Sequence, residues 1–310
     1  MKRSNLILTF FVLMAPVVLG CGGEADREPS KEPAETPVTQ TQKPVTTDPA
    51  PVTPDTPAEP SETPSGAPAK TPSDEIKSQE ELEAALKAKN PRFSGPVGVG
   101  YDREGVFYVE INDPGVEDIS PLARLPLKQM PRVNIYLEQT AVKDISVLEG
   151  LPLWKLYLTN TPVSDLSALK GLRTKMKEFN AIGSKVTDLS PLEGLDVEMI
   201  WLSECPISDI GPLQNVRVVS VTLADTKVSD LGPLKAHTTL KRLHIARTEV
   251  TDLSPLQWMN LTRLIFTPNR IKTGIEHARD MPGLTEIGID FNQRLPPAQF
   301  WPKYDAGEFK

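Results

Sequence analysis

Val186-Thr-Asp-Leu-Ser-Pro-Leu192 decides how this chain folds, because close copies of it recur along the sequence. Upstream stand Val116-Glu-Asp-Ile-Ser-Pro-Leu122, Val142-Lys-Asp-Ile-Ser-Val-Leu148 and Val163-Ser-Asp-Leu-Ser-Ala-Leu169. Downstream stand Ile207-Ser-Asp-Ile-Gly-Pro-Leu213, Val228-Ser-Asp-Leu-Gly-Pro-Leu234 and Val250-Thr-Asp-Leu-Ser-Pro-Leu256. The seven aspartates (Asp118, Asp144, Asp165, Asp188, Asp209, Asp230, Asp252) lie 26, 21, 23, 21, 21 and 22 residues apart. A period of this length marks stacked coils, each burying its neighbour's apolar edge, rather than a closed globule.

Ahead of each motif the apolar residues fall two apart, then a small or polar residue follows three further on, then an aliphatic one. Leu156/Leu158/Thr161/Val163 shows the frame, and Ile135/Leu137/Thr140/Val142 and Ile200/Leu202/Cys205/Ile207 repeat it. The frame continues to Leu264/Phe266/Asn269/Ile271. Val109/Ile111 opens the series and Ile287/Ile289 closes it, so nine strands are expected, with alternate side chains inward and outward. Ser-Pro or Gly-Pro pairs such as Ser190-Pro191 and Gly211-Pro212 place a favoured N-cap before a favoured first helical residue. Short helical or 3₁₀ turns on the outer side follow, making each coil wider outside and the stack curved. Val147 and Ala168 replace proline in two repeats, which weakens that start signal.

The pattern resembles bacterial leucine-rich repeats of the roughly 22-residue type found in internalins. The Asp-Leu-Ser-Pro-Leu spelling is closer still to repeat proteins of planctomycete-type bacteria. The flanks Ala84-Ala-Leu-Lys-Ala-Lys-Asn-Pro91 and Pro296-Pro-Ala-Gln-Phe-Trp-Pro-Lys-Tyr304 add to that likeness, which runs from about residue 80 to the C-terminus. It implies an α/β solenoid with parallel strands on a concave face; it transfers no catalytic residue.

Outside the repeats the chain divides by composition. Residues 1–20 carry Lys2 and Arg3 before an apolar run from Leu6 to Leu19, and Val18-Leu-Gly-Cys21 follows. This is expected to be a lipoprotein signal peptide, with Cys21 the acylated first residue. Gly22 after the cysteine favours the outer over the inner membrane in the lipoproteins this resembles. Residues 21–72 contain twelve prolines and no aromatic side chain, with nine acidic residues against four basic. Such a segment lacks the apolar surface to offset ordering and is expected to be a disordered tether. Residues 73–108 are expected to form a cap: a helix opened by Ser78-Gln-Glu-Glu81 and stopped by Asn90-Pro91, then a β-hairpin turning at Asp102-Arg-Glu-Gly105. Repeats occupy 109–295, and an aromatic cap of Phe300, Trp301, Tyr304 and Phe309 falls within 296–310.

Net charge is -7, or -9 without Lys2 and Arg3, and no basic stripe is present, which argues against nucleic-acid binding. No Gly-rich phosphate loop, Gly-x-Ser-x-Gly or metal-ligand spacing occurs, so neither an enzyme nor a cofactor is expected. The aspartates come one per coil, where calcium would need several oxygens converging in one loop. Cys205 stands in a slot that threonine fills elsewhere and is expected to be buried and inert.

The outward strand positions remain. One column reads Glu110, Tyr136, Tyr157, Asn180, Trp201, Thr222, His244, Ile265 and Gly288; the other includes Tyr108, Lys155, Glu178, Met199, Arg242 and Arg263. From these, Tyr108, Tyr136, Lys155, Tyr157, Met199, Trp201, Arg242, His244 and Arg263 are expected to form a ligand-binding surface. Tyrosine, tryptophan and arginine dominate interface energetics, and aromatics exposed on nearby rungs carry a solubility cost. The expectation is a monomeric, membrane-anchored module binding a protein or peptide, with a glycan the lesser choice. The alternatives are large side chains that merely fill the curve, and a structural spacer of the envelope with no dedicated ligand.

Overall fold

The computed structural model describes residues 75–309. The expected signal segment, Cys21 and the 21–72 tether lie outside the described residues. No helix among those described is long and apolar enough to cross a membrane.

The apolar pairs two apart produce nine short strands that pair in parallel, one per coil: β2 (Phe107–Glu110), β3 (Val133–Tyr136), β4 (Leu153–Tyr157), β5 (Met176–Asn180), β6 (Val197–Trp201), β7 (Ser220–Thr222), β8 (Arg242–His244), β9 (Arg263–Ile265) and β10 (Glu286–Gly288). Antiparallel strands close both ends, β1 (Gly98–Tyr101) against β2 and β11 (Arg294–Leu295) against β10. The first hairpin was expected from its turn residues; the second was not. The register carries Val109 beside Ile135, Leu156, Phe179, Ile200, Val221, Leu243, Leu264 and Ile287 in turn. All nine are buried, and each such side chain contributes about 1.5–3 kcal/mol. The fold is a leucine-rich repeat solenoid, as the period implied.

Turn chemistry departs from expectation in an instructive way. The serine or glycine before proline is the first residue of each 3₁₀ turn, not its cap. The capping position is a buried Leu or Ile without a side-chain hydrogen bond, as at Leu189 and Ile210. The aspartate does the work instead. Asp188 Oδ1 accepts the Ser190 N–H at 2.8 Å, and the other six aspartates accept the same N–H two residues on, at 2.7–2.8 Å. Turns form at Ser146–Leu148 and Ser167–Leu169 too, so proline assists this start without being needed. Threonines in the small-residue slot close the other side of each coil: Thr161 and Thr248 donate to the carbonyls three residues earlier, Leu158 and Ile245, at 2.8 and 2.7 Å. Cys205 donates instead to Ala181 O on the preceding coil, at 3.0 Å, and burial pushes its thiol pKa up, which keeps it unreactive. In the last coil the frame shifts: Pro268 is buried and Asn269 exposed, and a 3₁₀ turn, Pro268–Arg270, stands where the other coils have an ordinary turn after the strand.

Both ends are sealed. The helix α1 (Gln79–Lys89) is capped by Ser78 Oγ, and buried Asn90 ties it to the first repeat. Asn90 Oδ1 accepts the N–H groups of Glu117 and Asp118, and its Nδ2 donates to the carbonyls of Leu86 and Asp118. At the far end α2 (Ile275–Arg279) follows Gly274, where φ is +78° and a Cβ would meet Ser254 N at 2.2 Å, so only glycine fits. The final helix α3 (Pro297–Asp305) lays Phe300 against Phe266 at 6.0 Å between ring centres. Phe309 stacks on Phe300 at 4.7 Å, and the Arg279 guanidinium covers Trp301 at 4.7 Å.

Because the Asp188 carboxylate and not Ser190 starts its turn, Asp188→Ala should lower unfolding stability by about 1 kcal/mol, while Asp188→Asn and Ser190→Ala should cost much less. Urea denaturation of the three variants checks this, and equal losses at both positions would contradict the assignment.

Candidate functional site

Between β3 and β4 the register shifts once, between Val133 and Asn134, but over the two outward positions of every strand it holds and turns them into two columns. One runs Glu110, Tyr136, Tyr157, Asn180, Trp201, Thr222, His244, Ile265, Gly288. The other runs Tyr108, Asn134, Lys155, Glu178, Met199, Ser220, Arg242, Arg263, Glu286. All nine residues singled out from the sequence belong to these columns. The structure does not leave them all accessible.

The half nearer the N-terminus is open. Tyr136, Tyr157 and Trp201 are half-buried and form one aromatic strip, with ring centres 5.1 Å apart for the first pair and 6.3 Å for the second. Tyr157 and Trp201 are two rungs apart, about 10 Å along the sheet by strand spacing, so their rings lean together over the smaller Asn180. Asn180 is held by its own turn, its Oδ1 accepting the Ile182 N–H at 3.0 Å.

Tyr157 is fixed from the neighbouring column. Its hydroxyl donates to Glu178, and Lys155 Nζ lies 3.4 Å from the other oxygen of that carboxylate. Glu178 is 8% exposed, so it acts as an internal brace linking Lys155 to the ring. Burial first, and then the bond to Glu178, hold the Tyr157 hydroxyl protonated far above the ordinary tyrosine range. Burial likewise raises Tyr136, with the Glu178 charge the next largest cause. Beside the strip, Trp154 is stacked by the Arg132 guanidinium at 4.1 Å, and Lys177 pairs with Glu104 at 2.9 Å. Trp154 and the bracing role of Glu178 were missed from sequence. Glu178 was legible in principle, since the same register places it beside Lys155.

The half nearer the C-terminus is covered, and here the sequence expectation for His244 fails. His244 is 5% exposed rather than presented to solvent. The Phe291 ring, from the tip joining β10 to β11, stands edge-on over it at 4.7 Å. The tip is stiffened by Asp290, which accepts the Asn292 and Gln293 N–H groups at 2.7 Å, and by Arg294 Nε donating to Phe291 O at 2.6 Å. It passes so close to the end of the column that a Cβ on Gly288 would lie 2.2 Å from Gln293 O. Ile265 and Thr222 are buried as well. Arg263 remains half-buried but is engaged by Glu286, which Arg294 also reaches at 3.2 Å. Tyr108 and Met199 are half-buried at the column's edge, and so is Arg242.

Neither ring nitrogen of His244 has a hydrogen-bond partner, and the adjacent Thr222 hydroxyl has none either. Burial, aided by the Arg247 charge and opposed by Asp225 and Asp290, lowers the His244 pKa from 6.5 to about 4. No group of three or more His, Cys, Asp or Glu among the described residues is arranged to hold a metal ion.

No protein-family model and no curated protein matches the chain. Among solved structures, the internalin inlF of Listeria monocytogenes is 22% identical, with a TM-score of 0.48, covering 67% of this chain and 68% of its own. Internalin C2 (inlC2) of the same organism is also 22% identical with a TM-score of 0.48, over 66% of this chain and 91% of its own. The fold described above stands on its own strand register.

The covered histidine has a measurable signature. Its depressed pKa makes the closed tip most stable when His244 is neutral, above about pH 6.5, and progressively less so as pH falls through 6.5 toward 4. In an NMR titration His244 should have a midpoint near 4, rising toward 6.5 in Phe291→Gly, which removes the cover. A wild-type midpoint near 6.5 would mean that the tip stands open in solution.

Proposed function

We propose that the chain is a non-enzymatic binding module of the cell envelope, holding a protein or peptide partner on the open half of its concave sheet. The observation that carries this is the Tyr136–Tyr157–Trp201 strip. Three large aromatic side chains lie in mutual contact at the surface, one of them braced by a buried carboxylate. Side chains that only filled the curve would not need Glu178 in a costly buried position to aim Tyr157. Rigid, pre-aimed aromatics are what a binding surface uses to limit the entropy lost on association.

The rest of the proposed organisation follows from composition. A signal peptide at 1–20 delivers the chain across the inner membrane. Acylation of Cys21 anchors it in the outer membrane, and the 21–72 segment sets the distance to the repeat domain. That distance lies between roughly 40 Å for a coil and roughly 150 Å for an extended polyproline-like rod. The described domain begins with the cap helix, continues through the coils and acts as a monomer. Lipid, not protein, attaches it to the membrane.

Two experiments test these halves separately. A photo-reactive p-benzoyl-phenylalanine at Met199, beside Trp201, should give a discrete cross-linked protein product in intact cells. The same group at Glu193, on the opposite side of its coil, should not. Equal products from both sites, or none from Met199, would contradict a concave partner. Cys21→Ala should move the chain from the membrane to the soluble fraction and abolish labelling by a radioactive fatty acid; membrane retention would contradict the anchor.

A further inference from the structure

The concave sheet carries an imbalance of charge at the point where its open half ends. Lys155 is matched by Glu178, at 3.4 Å. Arg263 is matched by Glu286, but Arg294 draws on that same carboxylate at 3.2 Å. Arg242, between Ser220 and Arg263 in the same column, makes no ion pair or side-chain hydrogen bond among the described residues. Two guanidinium groups therefore share one carboxylate at this end and a third, Arg242, is engaged by none, in a chain whose net charge is -7. A half-buried arginine with its five donors unengaged is the arrangement that binds a carboxylate well.

Its placement relative to the aromatic strip is fixed by the sheet. Trp201 lies on β6 and Arg242 on β8, two rungs further along. Two rungs at about 4.8 Å each and the two-residue step across to the other column at about 3.3 Å each put the two positions roughly 12 Å apart, the length of three to four residues of extended chain. On the same rung as Arg242 the Phe291 tip closes the neighbouring column over His244, so a ligand lying along the stack is stopped where it meets the cation.

We infer that the ligand is an extended peptide segment with an apolar or aromatic side chain on the Tyr157–Trp201 rings and an Asp or Glu carboxylate on Arg242, three or four residues away. This rests on the reading of the concave face as a peptide-binding surface and names the chemistry that surface selects. A polyanion such as nucleic acid does not fit. Glu110, Glu138 and Glu198 flank the aromatic half and would repel each further phosphate, whereas a single carboxylate at the end of the strip meets Arg242, whose charge no acidic partner among the described residues engages.

The test is selection from a phage-displayed library of random 12-residue peptides on the immobilised full chain. Enriched peptides are then made synthetically, each with its acidic residue and with the matching amide, and titrated by fluorescence anisotropy. The expected winners carry an aromatic or large aliphatic residue three or four positions from Asp or Glu. Arg242→Gln should weaken the acidic peptides about tenfold or more and leave the amide versions unchanged, since a hydrogen-bonded charge contributes about 1.5–3 kcal/mol. Trp201→Ser should weaken both versions. Winners without acidic enrichment, or indifference to Arg242→Gln, would overturn the carboxylate site while loss through Trp201→Ser left the concave surface standing. No enrichment above background, or binding indifferent to Trp201→Ser, would overturn both.

Discussion

Parallel pairing without a register slip along the outward columns is the constraint from which the rest of the molecule follows. Each inward aliphatic residue is buried only because the next coil places its own equivalent directly beside it. A slip of one residue in any coil would turn that strand inside out, exposing Leu156 or Ile200 and burying Tyr157 or Trp201. The burial that holds the coils together therefore also sorts the outward side chains into columns. The aromatic strip is a consequence of this sorting: Tyr136, Tyr157 and Trp201 lie up to 65 positions apart in sequence and touch because the core keeps count.

A stack of this kind has two weak places, its ends and its turns, and this chain treats them differently. The ends are closed by packing and by one dense polar knot: Phe300 against Phe266 on one side, and the four hydrogen bonds of Asn90 on the other. The turns are closed by repetition of a single device, a carboxylate accepting the N–H two residues ahead. That device explains why aspartate persists at Asp144 and Asp165 where proline is lost at Val147 and Ala168. Proline narrows the unfolded ensemble, but the aspartate satisfies a backbone donor that nothing else reaches.

Much of this was legible before any coordinates. The period, the nine strands and both outward columns follow from spacing alone, because a two-residue alternation repeated every 21–26 residues admits one stacking. What was not legible has a common physical character. The Phe291 tip covers His244 through a contact spanning 47 positions, from a hairpin that has no counterpart in the coils. Repeat logic predicts what each coil shares and is silent about a segment that occurs once. The role of the serine before proline was misread for a related reason: serine is a good cap in general, but here the aspartate two residues earlier is already in place.

The division of the concave face into an open and a covered half gives the surface a direction. Along an unmodified stack each rung resembles the next, and a ligand could slide by one coil at small cost. Here the aromatic strip stops at Trp201, an unmatched cation stands two rungs on, and on that same rung the Phe291 tip closes the adjoining column. Gly288 lets that tip descend, since a side chain there would meet Gln293 O and Arg294 and prop it away from the sheet. The exception to the repeat thus sets the register of whatever lies on it: the coils provide an even surface, and the β10–β11 hairpin provides its end.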